Sequence, residues 1–82
     1  MLLWFMKEKL TLAVTFGEVL KEERLRNNLS QEALAYASGL ERNFISSMER
    51  GISQPTITTL FKLAEQLKIS PNDLIQKVSD KK

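Results

Sequence analysis

The chain has 82 residues, enough for one small domain, and its 43% hydrophobic and 27% charged residues are typical of a folded globule. It contains no cysteine and no histidine. This excludes disulfides, thiolate metal sites, cysteine nucleophiles and the commonest general base. Twelve Lys and Arg against ten Asp and Glu leave a net charge of +2, so any case for a nucleic-acid partner depends on where the charges lie.

The first fourteen residues form a segment that we separate from the rest of the chain. Residues 1–6 are apolar, but they lack the basic start of a signal peptide and are too few to span a bilayer, so we expect a cytoplasmic protein. Two interpretations of the segment are open. Residues 1–5 are an extension before a true start at Met6, or the segment is an apolar arm that packs on a neighbouring subunit. A β-strand at residues 10–14 is also compatible with the pattern.

Helix-start and helix-end signals follow from residue 15 onward. Thr15 and Glu18 form a capping box, in which each side chain binds a free backbone amide, so a first helix is expected over residues 16–27. Ser30 caps a second helix over residues 31–38, and Gly39 occupies the left-handed position that ends it. A third helix follows over residues 41–50, closed by Gly51 in the same way.

The second half of the chain carries similar signals. Thr56 caps a fourth helix, whose apolar stripe follows the helical period: Ile57, Leu60, Phe61, Ala64 and Leu67. Ser70 and Pro71 mark the start of a short fifth helix, which a solvated tail over residues 79–82 follows. No window between residues 15 and 78 alternates with a period of two. The sequence therefore predicts an all-α fold, a compact five-helix bundle.

Residues 29–46 carry the strongest functional signal. They predict two short helices joined at Gly39 by a tight turn, with Ala35 at the helix crossing and Leu40 and Ile45 anchoring the second helix. This is the geometry of a helix-turn-helix, whose second helix enters the major groove of DNA. An ordinary αα-hairpin would give a similar pattern. No phosphate-binding loop, metal-ligand cluster or activated nucleophile is recognisable, so we expect no enzyme activity, cofactor or metal.

Together, the motifs of the chain resemble one known family. The runs LSQEALA (29–35), SGL (38–40), ISSMERG (45–51) and PT (55–56), with Leu60, are similar to the Cro/phage-repressor-like, or XRE-type, helix-turn-helix family. The resemblance covers residues 15–76. Within the family the chain looks most like the controller proteins of restriction–modification systems, which are small dimeric regulators. The resemblance implies a lambda-repressor-like domain over residues 15–78, with the helix-turn-helix in helices two and three.

The resemblance also implies which residues contact DNA. The exposed positions of the recognition helix, which would contact base edges, are Arg42, Asn43, Ser46 and Ser47. Gln31 matches a position of the family that contacts phosphate. Further candidates for contact with the DNA backbone, from their places in this chain, are Phe44 and, in the loop after the recognition helix, Arg50, Ser53 and Gln54. Phe44 would do so through its ring, against a sugar or a thymine methyl, unless it covers the edge of the domain. Glu41 departs from an ideal patch, because its carboxylate repels phosphate unless it accepts a hydrogen bond from a cytosine amine. For Arg42 and Asn43, a solvated helix face is the alternative.

Two further groups of residues have structural roles in this interpretation. The family pairs the positions of Arg24 and Glu49, and each lies one turn beyond a core position, so we expect a buried ion pair. Two solvated charges are the alternative. The apolar residues near the end of the chain are the candidate dimer interface: Leu67, Ile69, Leu74, Ile75 and Val78. The alternative is that most of them close the core of the monomer.

These observations predict a regulator of transcription that binds a (pseudo)palindromic double-stranded DNA operator as a homodimer. It would control restriction–modification genes or act as a similar small repressor or activator, with RNA polymerase as a candidate second partner and no membrane association. A protein-interaction module, of the antitoxin or adaptor kind, is the alternative on the same fold. Such a module would not need Arg42, Gln31 and Arg50 on one face. A third interpretation is the DNA-binding subunit of a larger regulator.

Overall fold

The computed structural model describes the backbone of residues 2–82 and the side chains of residues 11–82. These residues form five α-helices: α1 (Leu2–Arg26), α2 (Gln31–Ser38), α3 (Arg42–Glu49), α4 (Ile57–Gln66) and α5 (Pro71–Lys81). No strand occurs anywhere in residues 2–82, and residues 10–14 are helical. The predicted all-α, five-helix architecture is therefore confirmed.

Helix α1 begins well before the predicted start at residue 16. It runs without a break from Leu2 through Thr15, so the predicted capping box is wrong. Thr15 is 6% exposed and lies inside the helix, where each backbone amide binds the carbonyl one turn earlier. The proposed boundary at residue 14 falls inside α1. The side chains of residues 1–10 are not among those that the structure describes. The two interpretations of this segment, a start-site extension or an apolar arm, therefore lie outside the described residues.

Helix α1 is long, but its composition is mixed. Although it has 25 residues, neither it nor any other described helix has the apolar stretch needed to cross a membrane.

At the other end of the chain, α5 continues to Lys81, so most of the predicted tail is helical. Lys81 Nζ lies 2.6 Å from Glu22 Oε2 on α1. This hydrogen bond raises the pKa of Lys81 above its ordinary value.

The first four helices all end in one motif. A residue with positive φ follows the last turn in each case: Asn28 (57°), Gly39 (69°), Gly51 (76°) and Lys68 (58°). At the end of α2, the amide of Gly39 donates to the carbonyl of Tyr36 (3.2 Å) and the amide of Leu40 to that of Ala35 (2.8 Å). These bonds satisfy carbonyls that have no partner inside the helix. The predicted left-handed positions at Gly39 and Gly51 are confirmed.

The helix starts agree with the capping signals after residue 29. The hydroxyls of Ser30, Thr56 and Ser70 each accept a bond from the amide three residues later, at 3.0, 3.1 and 3.0 Å. The side chains that form the core come from all five helices: Phe16, Val19, Leu20, Leu34, Ala35, Ile45, Met48, Leu60, Leu63, Ala64, Leu67, Leu74 and Val78. The apolar faces of the five helices thus meet in one common core.

The predicted apolar stripe of α4 needs correction. Leu60, Ala64 and Leu67 face the core as expected, and Leu63, which the stripe omitted, is completely buried. Ile57 and Phe61 are instead 71% and 56% exposed. Helix α4 therefore has two apolar faces, one against α2 and α5 and one toward solvent.

Helices α1 and α3 approach each other closely at Gly17. A Cβ atom added to Gly17 would lie 2.4 Å from the carbonyl oxygen of Met48 and 2.8 Å from that of Glu49. These distances are much shorter than van der Waals contact, so any side chain at this position would displace α3. Gly17 thus determines how deeply the end of α3 is seated against α1.

Candidate nucleic-acid interface

Helices α2 and α3 form the predicted helix-turn-helix. Leu34, Ala35 and Ser38 of α2 are buried on the side that faces the rest of the bundle, and α3 is held by Ile45 and Met48, which have no exposed surface. The turn between them is short because the end of α2 at Gly39 is followed directly by Leu40 and by Glu41, the N-cap of α3. This arrangement leaves the opposite face of α3 open to solvent.

The four predicted base-contacting residues share this open face. Arg42, Asn43, Ser46 and Ser47 follow the spacing i, i+1, i+4 and i+5, which places them on one side of a helix. Arg42 and Asn43 are exposed, and the two serines are half-buried. Neither Arg42 nor Asn43 makes a side-chain hydrogen bond or ion pair with any residue in the described part of the chain. Their donors and acceptors are therefore available to a ligand.

The five predicted backbone-contacting residues are less uniform. Gln31 is the first residue of α2, and Arg50 follows α3 with its Nε 3.4 Å from the carbonyl oxygen of Ser46. In the next loop, Ser53 is half-buried and Gln54 is exposed. Phe44 is half-buried and packs against the core. A contact between its ring and the DNA backbone stays a prediction.

Arg24 and Glu49 lie together below this surface. Arg24 Nε is 2.6 Å from Glu49 Oε2, and Arg24 Nη2 is 3.0 Å from Glu49 Oε1, so the two groups form a bidentate pair. Their side chains are 9% and 4% exposed. Arg24 Nη1 also donates to the carbonyl of Leu29 at 2.8 Å. The pair therefore links α1, α3 and the turn before α2.

Gln31 has a partner within the protein that the sequence did not reveal. Its Nε2 donates to Glu49 Oε1 at 3.0 Å, across 18 residues of the chain. No local signal points to this bond, because it depends on how α2 and α3 pack. The half-buried Gln31 side chain is thus hydrogen-bonded to Glu49 of the buried ion pair.

The electrostatics of the surface are close to neutral. Between residues 30 and 56, exposed positive charge comes from Arg42 and Arg50, and exposed negative charge from Glu32 and Glu41. Glu49 is balanced by Arg24. No group of acidic side chains within residues 11–82 could hold a metal ion. The surface therefore offers directed hydrogen-bond donors rather than a broad positive field.

Of the five residues predicted to form a dimer interface, three are buried in the core and two are partly exposed. Leu67, Leu74 and Val78 are buried in the monomer core, Ile69 is half-buried against it, and Ile75 is 49% exposed. The prediction did not include Ile57 and Phe61, which are also exposed. Ile57 lines one depression together with Ile75. It also lines an open groove of about 580 Å³ that runs along Phe61, Ile69 and Pro71. We call Ile57, Phe61, Ile69, Pro71 and Ile75 the apolar surface.

The chain is similar to known proteins in both sequence and fold. Its residues 20–74 match the model of the helix-turn-helix family. It is 36% identical over 61 residues to control protein C.BamHI from Bacillus amyloliquefaciens, covering 73% of this chain and 75% of that protein. It is 44% identical over 59 residues to control protein C.SmaI from Serratia marcescens, covering 72% of this chain and 70% of the relative.

A solved structure extends the similarity to three dimensions. The fold matches the crystal structure of the restriction-modification controller protein C.AhdI from Aeromonas hydrophila, with a TM-score of 0.73 and 42% identity. The match covers 76% of this chain and 94% of that one. The predicted resemblance is thereby confirmed. The chain belongs to the helix-turn-helix family of DNA-binding transcription regulators, of the XRE type.

Proposed function

We propose that the protein is a sequence-specific regulator that binds double-stranded DNA as a homodimer and controls the genes of a restriction–modification system. The open face of α3 carries the DNA-binding part of this proposal, because it presents Arg42 and Asn43 on the second helix of a helix-turn-helix. Similarity to two control proteins and to a restriction-modification controller protein supports the choice of regulated genes. RNA polymerase as a second partner and a cytoplasmic location stay predictions from the sequence.

The chemistry of the open face suits base recognition. A guanidinium such as that of Arg42 can donate two bonds to guanine O6 and N7, and the amide of Asn43 can bind adenine N6 and N7. Ser46 and Ser47 can contact either base edges or phosphate. Gln31 lies at the positive end of the α2 dipole, where a phosphate is attracted, and Arg50 adds a positive charge just after the last turn of α3.

Base and backbone contacts should respond differently to mutation. The operator is first obtained by selecting bound DNA from a random pool, and affinity is then measured by fluorescence anisotropy at several salt concentrations. We expect Arg42→Ala to cost about 1–3 kcal/mol on the operator and to relax the preference at one base pair per half-site. Arg50→Ala, the matched control, should weaken binding to all sequences alike and lower the salt slope by roughly one for each phosphate that Arg50 neutralises.

Two results would contradict these roles. If the wild-type protein binds all DNA sequences with equal affinity, Arg42 does not read a base. If it has no measurable affinity for DNA at low salt, the fold serves protein interaction instead, as in an antitoxin or adaptor module.

We further propose that the homodimer forms through the apolar surface of α4 and α5. One short recognition helix reads only a few base pairs, whereas two-fold pairing places two such helices about 34 Å apart, one turn of DNA. Exposed apolar side chains in a continuous patch are typical of protein interfaces. Ile69 and Ile75 belong to the interface predicted from the sequence, and Ile57 and Phe61 extend it. A dimer of this kind would bind a (pseudo)palindromic operator.

Replacing one large side chain with a charged one should dissociate this dimer. We expect wild-type protein to sediment as a dimer at micromolar concentration and Phe61→Glu to sediment as a 9.4 kDa monomer. Phe61 is 56% exposed in the monomer, so the substitution should leave the fold intact by circular dichroism. The control is Leu25→Glu, because Leu25 is 55% exposed on α1 and lies outside the apolar surface. A wild-type monomer at DNA-binding concentrations, or an unchanged Phe61→Glu dimer, would contradict the proposal.

A further inference from the structure

The contacts of Glu49 suggest a second task for the buried ion pair. Its carboxylate is almost fully buried, yet one oxygen reaches Gln31, the first residue of α2. Oε1 accepts from Arg24 Nη2 and from Gln31 Nε2, both at 3.0 Å, and Oε2 accepts from Arg24 Nε at 2.6 Å. The bond to Gln31 extends this rigid pair to a residue at the proposed DNA contact.

The bond decides how the Gln31 amide is oriented. A carboxylate can only accept hydrogen bonds, so Gln31 has to turn its NH₂ group, and not its carbonyl oxygen, toward Glu49. One N–H is used in this bond and the second is left for another acceptor. A free glutamine side chain populates many rotamers, and much of this freedom is removed here before any ligand binds.

Arg24 makes this arrangement compatible with DNA. An isolated carboxylate near a phosphate would repel it, but the Arg24 guanidinium balances the charge of Glu49 at bidentate distance. Arg24 also holds the carbonyl of Leu29, the residue before the N-cap Ser30. The start of α2 and the side chain of its first residue are therefore fixed by the same guanidinium–carboxylate unit.

From this geometry we propose that Glu49 is a positioning residue for DNA binding: it preorganises the Gln31 amide to donate to a backbone phosphate. The inference rests on the proposed function. It assigns the ion pair a role in affinity as well as in stability. Gln31 makes the contact, Glu49 orients it, and Arg24 holds Glu49.

A double-mutant cycle on DNA affinity tests the proposal. Gln31→Ala should weaken operator binding at least about fivefold, because each protomer gives up one phosphate hydrogen bond. Glu49→Asp keeps a carboxylate for Arg24 but shortens the side chain by one methylene group. We expect this to break the bond to Gln31 and to weaken binding by a similar factor. In the Gln31→Ala background, Glu49→Asp should have no further effect on affinity. Circular dichroism and unfolding curves test whether each variant is folded at the assay temperature.

The contacted phosphate gives a second measurement. Each phosphate of a half-site is replaced in turn by an uncharged methylphosphonate. One replacement should weaken binding of the wild-type protein and of Arg42→Ala, yet leave Gln31→Ala and Glu49→Asp unaffected. A purely structural Glu49 would instead give equal reductions of affinity in both backgrounds and the same methylphosphonate pattern as the wild type.

A third measurement uses the unmodified protein and so does not depend on a variant that folds. Side-chain ¹⁵N relaxation of the free protein should show a rigid Gln31 amide. The control is Gln54, which is exposed and makes no hydrogen bond within the described residues. A Gln31 amide as mobile as that of Gln54 would overturn the proposal, as would additive effects in the double-mutant cycle. If the wild-type protein binds no specific DNA, the proposed function fails first and this inference with it.

Discussion

Arg24→Ala is expected to destabilise the fold by about 3–5 kcal/mol, the usual cost of breaking a buried ion pair from one side. The Glu49 carboxylate would stay buried with only the Gln31 amide as a partner. Since a domain of this size has a total stability of roughly 4–12 kcal/mol, such a destabilisation would remove at least about a quarter of that stability. Glu49→Ala should have a comparable effect, because it leaves Arg24 with only the Leu29 carbonyl.

The double substitution isolates the interaction energy between Arg24 and Glu49 from the contacts that each residue makes with other groups. Removing both charges should cost less than the sum of the single changes, because neither ion is then left buried without a partner. Urea unfolding followed by circular dichroism gives the free energies of the wild type and the three variants. Lys81→Ala is the control, since it breaks an ion pair of the same 2.6 Å length on the exposed side of α1 and should change the midpoint far less. Small and strictly additive effects at Arg24 and Glu49 would show that the interaction between these two residues does not stabilise the fold.

Gly17→Ala should also be strongly destabilising, although alanine is the better helix former. The intrinsic preference of a helix for alanine over glycine is worth about 1 kcal/mol. Against it stands a methyl group 2.4 Å from the carbonyl oxygen of Met48, which can be accommodated only if α3 moves away from α1. We expect a net destabilisation of about 2–3 kcal/mol, toward the upper end of the cost of overpacking a core.

Two controls separate the steric effect from the conformational one. Lys21→Ala changes an exposed position of the same helix and should be nearly neutral. Gly39→Ala meets no atom within 4 Å but forces alanine into a left-handed conformation, so it should cost about 1–2 kcal/mol without a clash. Thermal unfolding of the three variants gives the comparison. If Gly17→Ala is as stable as Lys21→Ala, the approach of α1 to α3 is not as close as described.

Displacing α3 should also affect DNA binding. The ion pair between Arg24 and Glu49 bridges the same two helices, and α3 carries Arg42 and Asn43 on its opposite face. A shift at Gly17 would therefore both stretch the pair and tilt the recognition surface.

Most helix ends and the helix-turn-helix are specified by residues that are close together in the chain. Ser30, Thr56 and Ser70 bind amides only three residues away, and Gly39 binds a carbonyl within the helix it ends. These interactions are complete within a few residues of chain, so the residue types and their spacing are enough to predict them. The open face of α3 follows for the same reason from the helical repeat of its residues.

Other features depend on packing between distant segments and could be read only from the folded chain. Thr15 and Glu18 have the spacing of a helix start, but the helix continues through them, and no local rule distinguishes the two cases. Apolar residues cover more than one side of α4, so the sequence could not show that Phe61 faces solvent while Leu63 faces the core. The approach of Gly17 to α3 and the bond from Gln31 to Glu49 join segments 18 or more residues apart. Which residues are buried and which long-range hydrogen bonds form depends on how the helices pack together. The sequence of one helix does not show which other helix packs against it.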